Sequence, residues 1–81
     1  IDVFDNQIVE LLSSRKEIVE EIAKFKDKNQ LTIFQLERWF EILRTRKEIA
    51  NNLGLDAQMI AEIFELVHKY SIITQTKIMR K

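Results

Sequence analysis

Apolar residues recur at alternating intervals of four and three from Phe4 through Ile8, Leu11, Ile18 and Ile22 to Phe25. That is the period of one face of an α-helix. Arg15 interrupts the series between Leu11 and Ile18, putting an always-charged side chain in a stripe expected to be dry. Lys26 stands eleven residues further on, and eleven steps of about 100° return it to nearly the same azimuth roughly 16 Å along the axis. Buried charge is costly unless paired, so this face calls either for acids from elsewhere in the fold or for a bound anion. A second apolar row, Val9, Leu12, Val19 and Ala23, runs beside the first. No Gly or Pro occurs from Ile1 to about Lys28, which predicts one helix of about 42 Å. A compact globule of this length is only roughly 30 Å across. The economical cover for two apolar rows on so long a helix is a second copy of the chain, packed across a two-fold axis.

The polar stretch Asp27–Gln30 ends this pattern. Thr32 is expected to cap a second helix, because Thr32-x-x-Gln35 fits a capping box and Leu36, Trp39, Phe40, Leu43 and Ala50 follow at helical spacing. Asn51-Asn52-Leu53-Gly54 should stop it, with Gly54 in the left-handed C-cap conformation, and Asp56 should cap the next helix. The third helix is expected over about 57–79, with a row of Ile60, Phe64, Val67, Ser71, Thr74 and Ile78. This row also turns polar in its middle, at Ser71 and, one turn on, Gln75. The pattern predicts an all-α chain of three helices that forms a homodimer through its long first helix, with residues 1–81 as a single domain.

Composition narrows the chemistry. Thirteen acidic and thirteen basic residues cancel, which argues against a nucleic-acid footprint or a membrane-surface protein. The absence of cysteine removes disulfide and thiolate-metal chemistry, and a lone histidine, His68, makes no histidine metal cluster within one chain. No apolar run reaches the roughly 18 residues of a membrane span and no signal peptide opens the chain, so a soluble, cytoplasmic protein is expected. A helix already running at Ile1, with no methionine, points to a piece of a longer protein. Phosphate loops, nucleophilic triads and dinucleotide fingerprints do not occur.

Read singly, most candidates have ordinary explanations. Lys26 suits the end of a helix dipole, Arg38 a solvated helix face, Gln35 a capping box and Trp39 a core. Ser71 could bond back along its own helix, and Gln75 could be a buried amide at a helix crossing. His68 reads as a partly exposed helix residue, Asp2 and Asp5 as N-terminal surface charges. Arg44, Arg46 and Lys47, interspersed with Glu41 and Glu48, make a solvated face. Arg15 stands apart, because arginine suits bidentate capture of a carboxylate in a desolvated place.

Taken in order, Ile1-Asp2, Asp5, Leu11-Leu12-x-x-Arg15, Lys26, Arg38 and Ser71-x-x-x-Gln75 resemble the all-helical chorismate mutases, the AroQ class. Leu55-Asp56-Ala57 and Ile63-Phe64-x-Leu66 are similar to that family too. The likeness spans essentially the whole chain. It implies an intertwined dimer with two active sites that converts chorismate to prephenate, without cofactor or metal, in aromatic amino-acid biosynthesis. It further implies that Arg15 and Arg38 hold substrate carboxylates, that Lys26 contacts a carboxylate and the ether oxygen, that Ser71 orients a carboxylate and that Gln75 donates to the ether oxygen. Family members are often fused to other aromatic-biosynthesis enzymes, so a fused domain upstream is expected.

Two departures from the family pattern bear on this expectation. An arginine that the family places just upstream of the Ile1 position lies before the first residue given. Trp39 stands where the family usually has a glutamate that bonds the substrate hydroxyl; an indole donates but cannot accept, so that contact either falls to Gln35, one turn earlier, or is lost. The rival expectations are an isochorismate pyruvate lyase, which would use the same fold, and a non-catalytic helical dimer sensing chorismate or prephenate for a fused enzyme.

Overall fold

In a computed structural model, which describes residues 1–79, the chain forms three helices: α1 (Asp2–Lys28), α2 (Leu36–Asn52) and α3 (Ala57–Met79). No strand occurs among the described residues. The chain divides into two compact units, the first made of Ile1–Ile33 with the chain from Ser71 onward, the second of Phe34–Tyr70.

In the first unit α1 packs against the last part of α3. Ala23 of α1 is fully buried, with Val19 buried one turn before it, and Ser71 and Gln75 are buried on α3. Only this end of the second apolar row is covered. The first row stays open along its whole length, with Phe4 68% and Leu11 69% exposed. The face expected to be dry is therefore not covered by the chain's own helices.

α1 ends as the polar stretch predicts, in a Schellman-type turn. Leu31 N–H donates to Lys26 C=O at 2.8 Å and Gln30 N–H to Asp27 C=O at 3.3 Å, with Gln30 in the left-handed region at φ 56°.

The second unit is a helical hairpin of α2 and the first part of α3. Ala50 and Ala61 are its buried hydrophobic residues, again small ones that allow close approach. The capping box expected at Thr32 does not form. α2 begins at Leu36, with Gln35 at the N-cap position in extended backbone and no side-chain cap bond. A helix starting at Thr32 would direct the Ile33 carbonyl to the N–H four residues on. That carbonyl instead accepts from the Lys26 ammonium at 2.8 Å. The other end behaves as expected: Gly54 lies at φ 74°, and Leu55 N–H closes the turn on Ala50 C=O at 2.8 Å. Asp56 caps α3, its Oδ1 accepting from Gln58 N–H at 2.8 Å and Met59 N–H at 3.2 Å.

Candidate active site

The polar intrusions on α1 and α3 meet in the first unit. Arg15 Nη1 donates to Ser71 Oγ at 2.6 Å, and Lys26 Nζ donates to Gln75 Oε1 at 2.9 Å and to the Ile33 carbonyl at 2.8 Å. Both cations are half-buried, whereas Ser71 and Gln75 are only 9% and 7% exposed. Because Arg15 precedes Lys26 as Ser71 precedes Gln75, α1 and this part of α3 run in the same direction. Arg15 and Lys26 are separated by roughly 16 Å of helix rise, but the residues they reach, Ser71 and Gln75, by only about 6 Å of rise. The two long side chains therefore lean toward each other and bring two positive charges over a single turn of α3.

Two like charges gathered over a buried hydroxyl and a buried amide make a place suited to an anion. The partners named for Lys26 are neutral, so they solvate its ammonium without cancelling its charge. Burial holds its pKa below the ordinary 10.5, because desolvation disfavours the charged form. An ammonium has three donors, and these bonds use two of them.

The remaining candidates lie in the second unit. Arg38 is exposed and pairs with Glu41 at 2.6 Å. Gln35 and Arg38 share the rim of an open depression at the start of α2, lined also by Leu36, Glu37 and Glu41. Trp39 is half-buried and stacks on His68, with ring centroids 4.1 Å apart and planes 18° apart. Phe34 tilts against the other partner of that stack, 5.6 Å from the His68 ring. His68 is thus an aromatic packing residue as well as a helix residue of intermediate exposure.

Sequence reasoning missed this aromatic cluster; His68 and Trp39 each fit the period of their own helix, but nothing in either series says that they stack. It also missed the Ile33 carbonyl, a backbone group with no sequence signal. Among the described residues no group of three or more His, Cys, Asp or Glu could hold a metal ion, and no helix is long and apolar enough to cross a membrane.

The family described as chorismate mutase type II matches residues 1–76. The chain is 33% identical over 81 residues to the bifunctional chorismate mutase/prephenate dehydratase of Buchnera aphidicola subsp. Schizaphis graminum, covering all of this chain and 21% of that protein. The protein of the same description from Buchnera aphidicola subsp. Acyrthosiphon pisum is 32% identical with the same coverage. The T-protein of Haemophilus influenzae is 30% identical over 63 residues, 78% of this chain and 17% of its own length. The chain therefore spans about a fifth of the length of these relatives. No solved structure matches it.

Proposed function

We propose an enzymatic function from one premise: this chain belongs to the chorismate mutase type II family. The function is the isomerisation of chorismate to prephenate, in which the ether C–O bond breaks as a C–C bond forms and no atom is gained or lost. The observation that carries this reading is the convergence of Arg15 and Lys26 on Ser71 and Gln75. A pericyclic step needs no nucleophile. It needs the substrate held in its reactive conformer and the charge developing on the departing oxygen stabilised. Arg15 binds a carboxylate through its planar fork, with Ser71 setting its direction. Lys26 and Gln75 donate to the ether oxygen. The family resemblance assigns Arg38 to the second carboxylate and Gln35, with Trp39, to the substrate hydroxyl; all three belong to the second unit.

We further propose that the active species is a homodimer of residues 1–81 acting as one catalytic domain, in the cytoplasm and fused to a second enzyme. Support comes from the exposed 4-3 row along α1 and from the exposed Met59, Ile63, Leu66 and Tyr70 along α3, more apolar surface than a lone chain ordinarily leaves in water. Dilution in the ultracentrifuge tests the dimer; a folded monomer at micromolar concentration counts against it. The reaction is tested by following loss of chorismate, with isochorismate assayed in parallel. Turnover of chorismate to prephenate is expected. Tight binding of a bicyclic transition-state mimic without turnover of either compound would instead identify a sensing module.

A further inference from the structure

The bond between Lys26 and Gln75 has a direction, and the direction decides what Gln75 can do. An amide has an accepting end and a donating end, and they differ by a half-turn of one side-chain torsion. Left alone, a glutamine could present either end to a ligand. Here the accepting end is occupied, since Oε1 receives the Lys26 ammonium at 2.9 Å. An ammonium has no lone pair to offer, so the reversed amide would set N–H against N–H.

The ammonium is itself fixed. Its second bond, to the Ile33 carbonyl, ties it to the segment joining α1 and α2. The carbonyl is a rigid acceptor, and Gln30 in its left-handed turn sets the course of that segment as it leaves α1. Gln75 is buried on a regular helix, so its stem has little freedom and the end of the amide is what remains to be chosen.

We propose that Lys26, anchored by the Ile33 carbonyl, is a positioning residue for Gln75: it holds the amide oxygen and leaves the amide N–H₂ as the end presented to the ligand. On the reaction proposed above this is the donating end that the departing oxygen requires, and that consequence rests on that reading. The backbone of Ile33 becomes part of the positioning apparatus, although it reaches the ligand only through Lys26. The arrangement exists before any ligand arrives, so little reorganisation is left for the reacting state.

The test uses the whole chain without ligand, so its outcome is separate from any turnover assay. Side-chain ¹⁵N relaxation reports the order parameter of the Gln75 amide. Values approaching that of rigid backbone, about 0.85, are expected in the unaltered chain and in Lys26→Arg, which keeps a charged donor. A drop below about 0.6 is expected in Lys26→Met. An ester in place of the Ile33–Phe34 peptide bond, which weakens the carbonyl as an acceptor, should give an intermediate loss of order. A mobile Gln75 amide in the unaltered chain would overturn the proposal whether or not any variant folds. So would a Gln75 amide equally ordered in a folded Lys26→Met.

Discussion

Two cations of the second unit contrast with two of the first, while Arg46 of the second stands aside, donating to the Thr45 hydroxyl and lying over the Phe64 ring. In the second unit the named pairs are carboxylate pairs on the helix surface, Arg38 with Glu41 at 2.6 Å and Arg44 with Glu48 at 3.0 Å, all four side chains at least half exposed. In the first, Lys26 reaches inward to an amide and a backbone carbonyl, and the Ser71 hydroxyl is one of the partners of Arg15. A carboxylate partner neutralises a charge; a neutral acceptor orients it and leaves it positive. The first arrangement suits solubility, the second an incoming anion. The helix ends differ as well: both units close a helix with the same turn, yet one uses Gly54 and the other Gln30 for the left-handed residue.

The sharpest test of this contrast is to remove one cation from each unit. Arg15→Ala should lower kcat/KM for chorismate by roughly two to four orders of magnitude, the equivalent of about 3 to 5 kcal/mol for a desolvated charge-assisted contact. Helicity by circular dichroism should persist, since the guanidinium is only half-buried. Arg44→Ala should leave turnover within about twofold, as expected for an exposed pair. Equal losses would erase the distinction between the units.

Gln75→Glu tests the neutrality of the acceptors. An ionised carboxylate next to Lys26 makes the first unit resemble the second: it cancels the cation and cannot donate. Turnover should be nearly lost at neutral pH and should recover as pH falls through the pKa of the new carboxyl, ordinarily about 4.3. Burial would raise that pKa and Lys26 would lower it. A flat profile near the activity of the unaltered chain would mean that Gln75 does not touch the reacting oxygen.

The unaltered chain should show the converse on the alkaline side. Burial lowers the folded pKa of Lys26 from 10.5, so kcat/KM should fall with an apparent pKa below that value as the ammonium loses its proton. The stability linkage has the opposite sign. Between the lowered folded pKa and 10.5 the unfolded chain binds more protons at this site, so the group's contribution to stability rises with pH across that window. Below it, the desolvation cost is fully present. Rate and unfolding profiles over one alkaline series would separate the two effects, and an alkaline limb that stays at 10.5 in the free protein would count against the burial.

The helix ends predict smaller effects of opposite sign. Gln30→Gly should stabilise the chain by about 1 kcal/mol, relieving a side chain from a left-handed backbone. Gly54→Ala should cost about 1 kcal/mol for conformation alone, since a Cβ there would meet nothing within 4 Å. Urea midpoints measure both, and equal signs would show that the turns are not equivalent. Least of all, Arg38→Ala should change folding stability by no more than about 0.5 kcal/mol, because the pair with Glu41 is solvent-screened.

Much of this was legible in the residues themselves. The extents of α1 and α3, the stop at Gly54 and the cap at Asp56 follow from local periodicity and turn chemistry, which act within a few residues. The start of α2 did not, because a lysine ammonium claims the Ile33 carbonyl and no local rule anticipates a partner seven residues away. At the candidate site, Arg15, Ser71 and Gln75 stood out as polar breaks in apolar rows. Which break faces which was not legible, for it depends on how α1 lies against α3. The stack of Trp39 on His68 was hidden for the same reason, as a contact between two helices that each read normally alone.

The smallness of the buried residues carries a thermodynamic consequence. Among the described residues the buried hydrophobic ones are Val19 and three alanines, Ala23, Ala50 and Ala61, while the phenylalanines of α1 stay in contact with solvent. Heat capacity and denaturant sensitivity of unfolding both scale with the apolar surface newly exposed. A lone chain should therefore melt broadly, with a small m-value and a small heat-capacity increment. If association is what hides the remaining carbon, both quantities are expected to rise with protein concentration, and the melting temperature with them.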